Sequence, residues 1–94
     1  MDIKVSGINY KVLTKPPEEM GGHIGLANFN TQEIWIHRDM TPQTKLIARW
    51  HETVHILEKA YGVKMSEEQV TIFTHALVSL LKDNPNIVDQ FNAD

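Results

Sequence analysis

Five residues near the middle of the chain, His51-Glu52-Thr53-Val54-His55, combine types and spacing that suit one kind of chemistry. They read H-E-x-x-H. On a helix, positions four apart share a face, so both imidazoles can aim at a single ion. Two neutral imidazole nitrogens at that spacing suit Zn²⁺, and the Glu between them can take a proton from a water that the ion activates. The chain has no Cys, so any metal must be held by His, Asp or Glu. The competing reading is a surface helix with two solvated His and one Glu, in a chain that contains five His. Helix placement weighs against it. At about 100° per residue, Ile47, Trp50, Val54, Leu57 and Tyr61 form one apolar arc. His51 and His55 fall at an edge of that arc and Glu52 further round. A metal there sits at the rim of the core, where a substrate can reach it.

A catalytic zinc needs a third protein ligand and an open position for water. One way to supply it is a further His six residues after the second, with a preceding Gly; those positions are Tyr61 and Glu58 here, so that arrangement is absent. The other way is a Glu on a following helix. Glu67 and Glu68 both open the next helical segment. The wheel sets Glu67 with Val70, Thr74 and Leu77 on the core-facing side and turns Glu68 well away. Glu67 is therefore the preferred third ligand, with Glu68 and His75 as alternatives. Acidic residues also favour a first helical turn simply by complementing the helix dipole. His23, His37, Tyr10, Tyr61 and His75 are weaker candidates for steadying a transition state, and Trp35 and Trp50 read as core or rim aromatics.

The elements that must position these residues follow from pattern and punctuation. Residues 3 to 14 alternate weakly, with Gly7 parting two short β-type runs, and Pro16-Pro17 ends the second. Glu18 to Gly22 reads as a mobile loop. His23 to Phe29 and Glu33 to His37 flank Asn30-Thr31-Gln32, a hairpin signal. Thr41-Pro42 is a helix start, and Gly62 a stop after Tyr61. Ser66-Glu67-Glu68-Gln69 is a capping box for a second helix running to about Lys82, with Val70, Phe73, Leu77, Val78 and Leu81 near one face. Asp83-Asn84-Pro85 breaks it, and Ile87, Val88 and Phe91 are expected as a last helical turn against the core. The expected fold is α+β: a small N-terminal antiparallel sheet, two packed helices and a short C-terminal helical tail.

Ninety-four residues, 41% of them hydrophobic, make one domain, 1–94, with a modest core. The net charge of −3 offers no footprint for nucleic acid. No apolar run is long enough for a membrane span, and the N-terminus has no secretory h-region. A cytoplasmic protein is expected.

The order of features resembles a known family. An Ile-Trp-Ile strand (34–36) precedes Thr-Pro-Gln (41–43), a helix with H-E-x-x-H follows, and a second helix opens Glu-Glu-x-Val and closes Leu-Lys-Asp-Asn-Pro. This is similar to the small zinc-peptidase-like proteins of bacteriophages and prophages, distant relatives of the ImmA/IrrE metallopeptidases. The resemblance implies a minimal gluzincin-like core, with His51, His55 and Glu67 as zinc ligands and Glu52 as base. It implies a peptide or protein substrate, which is a regulatory protein in larger relatives, and a bacterial host cytoplasm as the setting. The expectation is thus a zinc-dependent metallopeptidase, with a structural or inactive zinc module acting through protein contacts as the alternative.

Overall fold

The computed structural model describes residues 1–92 of the chain. In order come β1 (Asp2–Val5), β2 (Ile8–Lys15), α1 (Pro17–Met20), β3 (Gly25–Asn28), β4 (Glu33–His37), α2 (Pro42–Tyr61), α3 (Glu67–Asp83) and α4 (Asp89–Asn92). The class is α+β as expected: a four-stranded sheet, then packed helices and a short final one.

The first hairpin turns through Ser6 and Gly7, both at positive φ, as a two-residue loop between twisted strands requires. The second is fixed by Asn28, whose side-chain oxygen accepts from the Asn30 and Thr31 amides. How the hairpins join corrects the expectation of a purely antiparallel sheet. The strand order is β1-β2-β4-β3, and β2 pairs with β4 in parallel, Val12 opposite Ile34 and Thr14 opposite Ile36. The chain returns through α1 and β3 before β4 docks on β2, so β3 becomes the outer strand. Between the two strands of the second hairpin, β4 has the buried apolar pair, Ile34 and Ile36, whereas no residue of β3 is fully buried.

The segment expected as a mobile loop is partly a helical turn. Met20 at the end of α1 is fully buried, and α1 packs on β4. The Glu-Glu-Met stretch looked like loop because one anchoring side chain creates no periodicity.

Above the sheet lies α2. Thr41 caps it, its hydroxyl accepting from the Thr44 amide, with Pro42 in the first turn. Gly62 ends it at φ 68°, its amide donating to the Glu58 carbonyl. Val5, Tyr10, Ile34 and Ile36 of the sheet form the main core with Ala48 and Ile56 of α2. Burying one such aliphatic side chain contributes about 1.5–3 kcal/mol.

The apolar arc read from the wheel describes only part of α2. The buried set is Ala48, Thr53, Val54 and Ile56, while Tyr61 is exposed. The helix is covered from two directions, by β1, β3 and β4 on one side and by α3 on the other. A single stripe cannot describe two covered faces.

On α3, Val70, Thr74 and Val78 are buried, but Phe73 is exposed. The tail departs from expectation too: Val88 and Phe91 face solvent and do not pack into the core.

The burial of Met20 is directly testable. Met20→Ala is expected to lower unfolding stability by about 2–5 kcal/mol, read from urea denaturation. A change within experimental error of zero would return the 16–22 segment to a loose loop.

Candidate metal centre

His51 and His55 project from the middle of α2 into a seam between the edge strand β3 and the start of α3. Their rings lie 5.0 Å apart, centroid to centroid, and cross at 68°. Glu67 closes the seam from the first turn of α3. Its Oε1 is 2.8 Å from His55 Nε2 and its Oε2 is 3.3 Å from His51 Nε2. Among the described residues, His51, His55 and Glu67 are the group that could hold a metal ion, their donor atoms all within 4.8 Å of one another.

The donor set and spacing fit such an ion. Bonds of about 2.0–2.1 Å to a tetrahedral zinc set neighbouring donors roughly 3.3 Å apart, near the separations above. Glu67 lies on the chosen helical register because the capping box starts α3 at that residue. The Ser66 side chain accepts from the Gln69 amide, and the Gln69 side chain accepts from the Ser66 amide. Glu68 and His75 are exposed and lie outside the group.

A fourth residue belongs to the centre and escaped sequence reasoning. Glu58 Oε1 is 2.8 Å from His55 Nδ1, and its Oε2 accepts from the Met65 amide at 2.7 Å. A carboxylate on Nδ1 favours the tautomer with its proton there, so that Nε2, which faces Glu67, is the nitrogen placed to bind an ion. The Met65 amide first, and the His55 imidazole after it, hold the Glu58 carboxyl below its ordinary value. The signal was available, since a Glu three residues after a helical His shares its face. Which nitrogen it would meet, and that it would also tie down the α2–α3 loop, depended on the turn.

Glu52 is one step round from the two imidazoles, turned toward β3. Burial pushes its carboxyl above the ordinary value, against the opposing pull of the His55 and His51 imidazoles and the Ala27 backbone amide. The approach of β3 requires Gly25: a Cβ there would lie 3.2 Å from Glu52 Cγ and 3.3 Å from Ala48 Cβ. That is tighter than ordinary van der Waals contact, so a side chain at residue 25 would press on Glu52.

These groups face a cleft of ≈ 710 Å³. One wall is Gly22 to Leu26, the other is α2 from Thr44 to His55, and Glu67 stands at the rim. Glu67 is 73% exposed, whereas the two His side chains are 20% and 26% exposed. The cluster is therefore shielded from below and open to the cleft.

Of the five residues considered for transition-state contacts, His23 alone lines this cleft. Tyr10 is buried in the main core. Tyr61 accepts from the Ser6 hydroxyl, and His37 Nδ1 accepts from the Asp39 amide. His75 lies on the exposed surface of α3. Trp35 is a rim residue, its indole donating to Glu33 with the Lys15 ammonium 4.8 Å over its ring. Among the described residues no helix is long and apolar enough to cross a membrane.

Compared with known proteins, the chain matches no family model, no curated protein sequence and no solved structure. The centre is therefore read from its own geometry.

Two measurements test that geometry. In zinc titrations, Glu67→Ala is expected to weaken binding strongly, while Glu68→Ala leaves it close to wild type because Glu68 lies outside the cluster. The opposite ranking would refute the assignment. Glu58→Ala is expected to lower zinc affinity by about 10–100-fold through loss of the His55 partner. An unchanged affinity would mean that Glu58 acts only on the loop.

Proposed function

We propose that this chain is a zinc-dependent peptidase of the H-E-x-x-H type. The observation that carries the reading is the convergence of His51, His55 and Glu67 beside the half-buried Glu52, all facing one open cleft. Zinc suits a set of two imidazoles and one carboxylate without thiolate. When bound, the ion supplies a Lewis acid that acidifies a coordinated water and polarises a carbonyl.

The chain's own residues supply the rest. Glu52 takes the proton of the attacking water and later delivers it to the departing amine. Its raised pKa favours the first half of this exchange, because burial makes the carboxylate a stronger base toward the proton of the water. Glu58 fixes the tautomer and tilt of His55.

A peptide is favoured over a compact substrate by the edge strand. β3 is paired on one side only, with β4. Its Gly25 and Ala27 share an outward parity; the Ala27 amide meets Glu52, and the other outward backbone groups can receive an extended chain as an added strand. Ile24, Leu26 and Ile47 line the cleft beside it, so apolar side chains of the peptide find cover. The resemblance to phage-encoded relatives of the ImmA/IrrE peptidases supports the same class, and suggests a regulatory protein of the bacterial host cytoplasm as the target.

The test separates base from ligand. Zinc-loaded wild-type protein is expected to cleave members of a peptide library, read by mass spectrometry. Glu52→Gln is expected to retain one equivalent of zinc while its rate falls by about 10²–10⁴-fold. Loss of zinc in that variant would make Glu52 a ligand, and absence of cleavage by the loaded wild type would remove the peptidase reading.

A further inference from the structure

α3 has two apolar faces, and α2 covers one of them. Val70, Thr74 and Val78 are buried where α3 packs on α2. On another side, Ile72, Phe73 and Leu80 are 62%, 47% and 49% exposed. At about 100° per residue these three and Ala76 fall within one arc of about 100°, roughly opposite Glu67. From Gln69 to Leu81 the helix has no Asp, Glu, Lys or Arg, in a chain that is 22% charged. The solvent side of a surface helix ordinarily carries its charges. This one carries none until Lys82 and Asp83.

We propose that two copies of this chain associate through this face, α3 against α3, antiparallel about a twofold axis at Ala76. The spacing is self-complementary. Ile72 and Leu80 lie four residues before and after Ala76, so an antiparallel copy sets Ile72 over the partner's Leu80, and Leu80 over the partner's Ile72. Phe73 fills the space beside them. Gln69 meets the partner's Asp83 at each end, where an amide and a carboxylate can hydrogen-bond. Such an isologous contact closes on itself and leaves no second patch to propagate. The small Ala76 at the crossing lets the helix axes approach to about 8 Å.

Charge and area agree with a second copy as the occupant. A like-charged patch would repel its own twin, and this face has no charge across its centre. It offers nothing for a charged partner to recognise. The three large side chains leave about 300 Å² of apolar surface open on each copy, the size of the largest patch on an ordinary monomer, which is often functional. With the flanking polar residues, pairing withdraws about 1,000 Å² in total, the lower end for specific association. The dimer is accordingly one that dissociates on dilution. Because the face lies away from Glu67, both clefts stay open.

The absence of Cys from the chain makes the geometry testable. Sedimentation equilibrium of the wild type is expected to show a monomer–dimer equilibrium. Ile72→Glu with Leu80→Glu should raise the dissociation constant by more than about tenfold, with the circular dichroism spectrum and zinc content unchanged, since both positions are exposed. Under mild oxidation Ala76→Cys is expected to form a disulfide-linked dimer, its Cα atoms falling within the roughly 7 Å that a bridge spans. Thr71→Cys, on another side of the helix, should remain monomeric. A wild type that stays monomeric at millimolar concentration overturns the proposal. So does a dimer that survives the double substitution, or equal cross-linking of Thr71→Cys and Ala76→Cys.

Discussion

Two imidazoles four residues apart on a helix can point at one ion, but a helix offers them no third donor in the same direction. The rest of the centre depends on that limit. Glu67 must come from another element, must lie within a turn of its start, and must be held against α2. The sharp end of α2 at Gly62 and the capping box at Ser66 meet those conditions with few residues. Glu58 then links the two sides. One oxygen meets His55 and the other takes the Met65 amide, so the carboxylate that orients a ligand also sets the path of the loop leading to Glu67.

The position of α2 between two layers gives each side chain of the motif its environment. Toward the sheet, Ala48 and Ile56 join the main core, and Glu52 between them is pressed against the backbone of β3 at Gly25. A carboxyl in that place loses water on one side and keeps the cleft on the other. This is why burial raises its pKa while it still lines the open cleft. The buried hydroxyls of the two helices avoid a desolvation cost locally. Thr53 donates to the Arg49 carbonyl at 2.8 Å, and Thr74 to the Val70 carbonyl at 2.7 Å. Polar residues can thus sit in the layers beside the metal ligands without competing for them.

The sheet contributes an edge. Because β4 is inserted between β2 and β3, the strand nearest to Glu52 is also unpaired on its outer side. A plain meander of four antiparallel strands would end on β4 and bury Gly25 and Ala27 in the interior. Strand order thus sets an exposed backbone beside Glu52 and the candidate metal centre. The apolar side of α3 with Ile72, Phe73 and Leu80 faces the other way, so the proposed contact with another copy leaves the centre accessible.

Local signals in the sequence determined much of this. Thr41-Pro42 and Gly62 bounded α2, Ser66 with Gln69 bounded α3, and the wheel selected Glu67 over Glu68, because caps and helical period act through neighbouring residues. The α+β class followed from short alternating runs ahead of two long periodic ones. Tertiary structure alone decided what depends on residues distant in the chain. The parallel pairing of β2 with β4 was invisible, since each strand reads the same whichever way its partner runs. The anchoring of α1 by Met20 was equally hidden, as one buried side chain has no period. Phe73 looked like core beside Val70 and Leu77, yet α2 covers only one side of α3. Glu52 appeared as a motif letter; its raised carboxyl arises from burial against β3 at Gly25, which the Ala27 amide only partly opposes. Burial, strand direction and the second partner of a ligand are properties of packing. A linear pattern records which residues can meet, and the packed layers select which of them do.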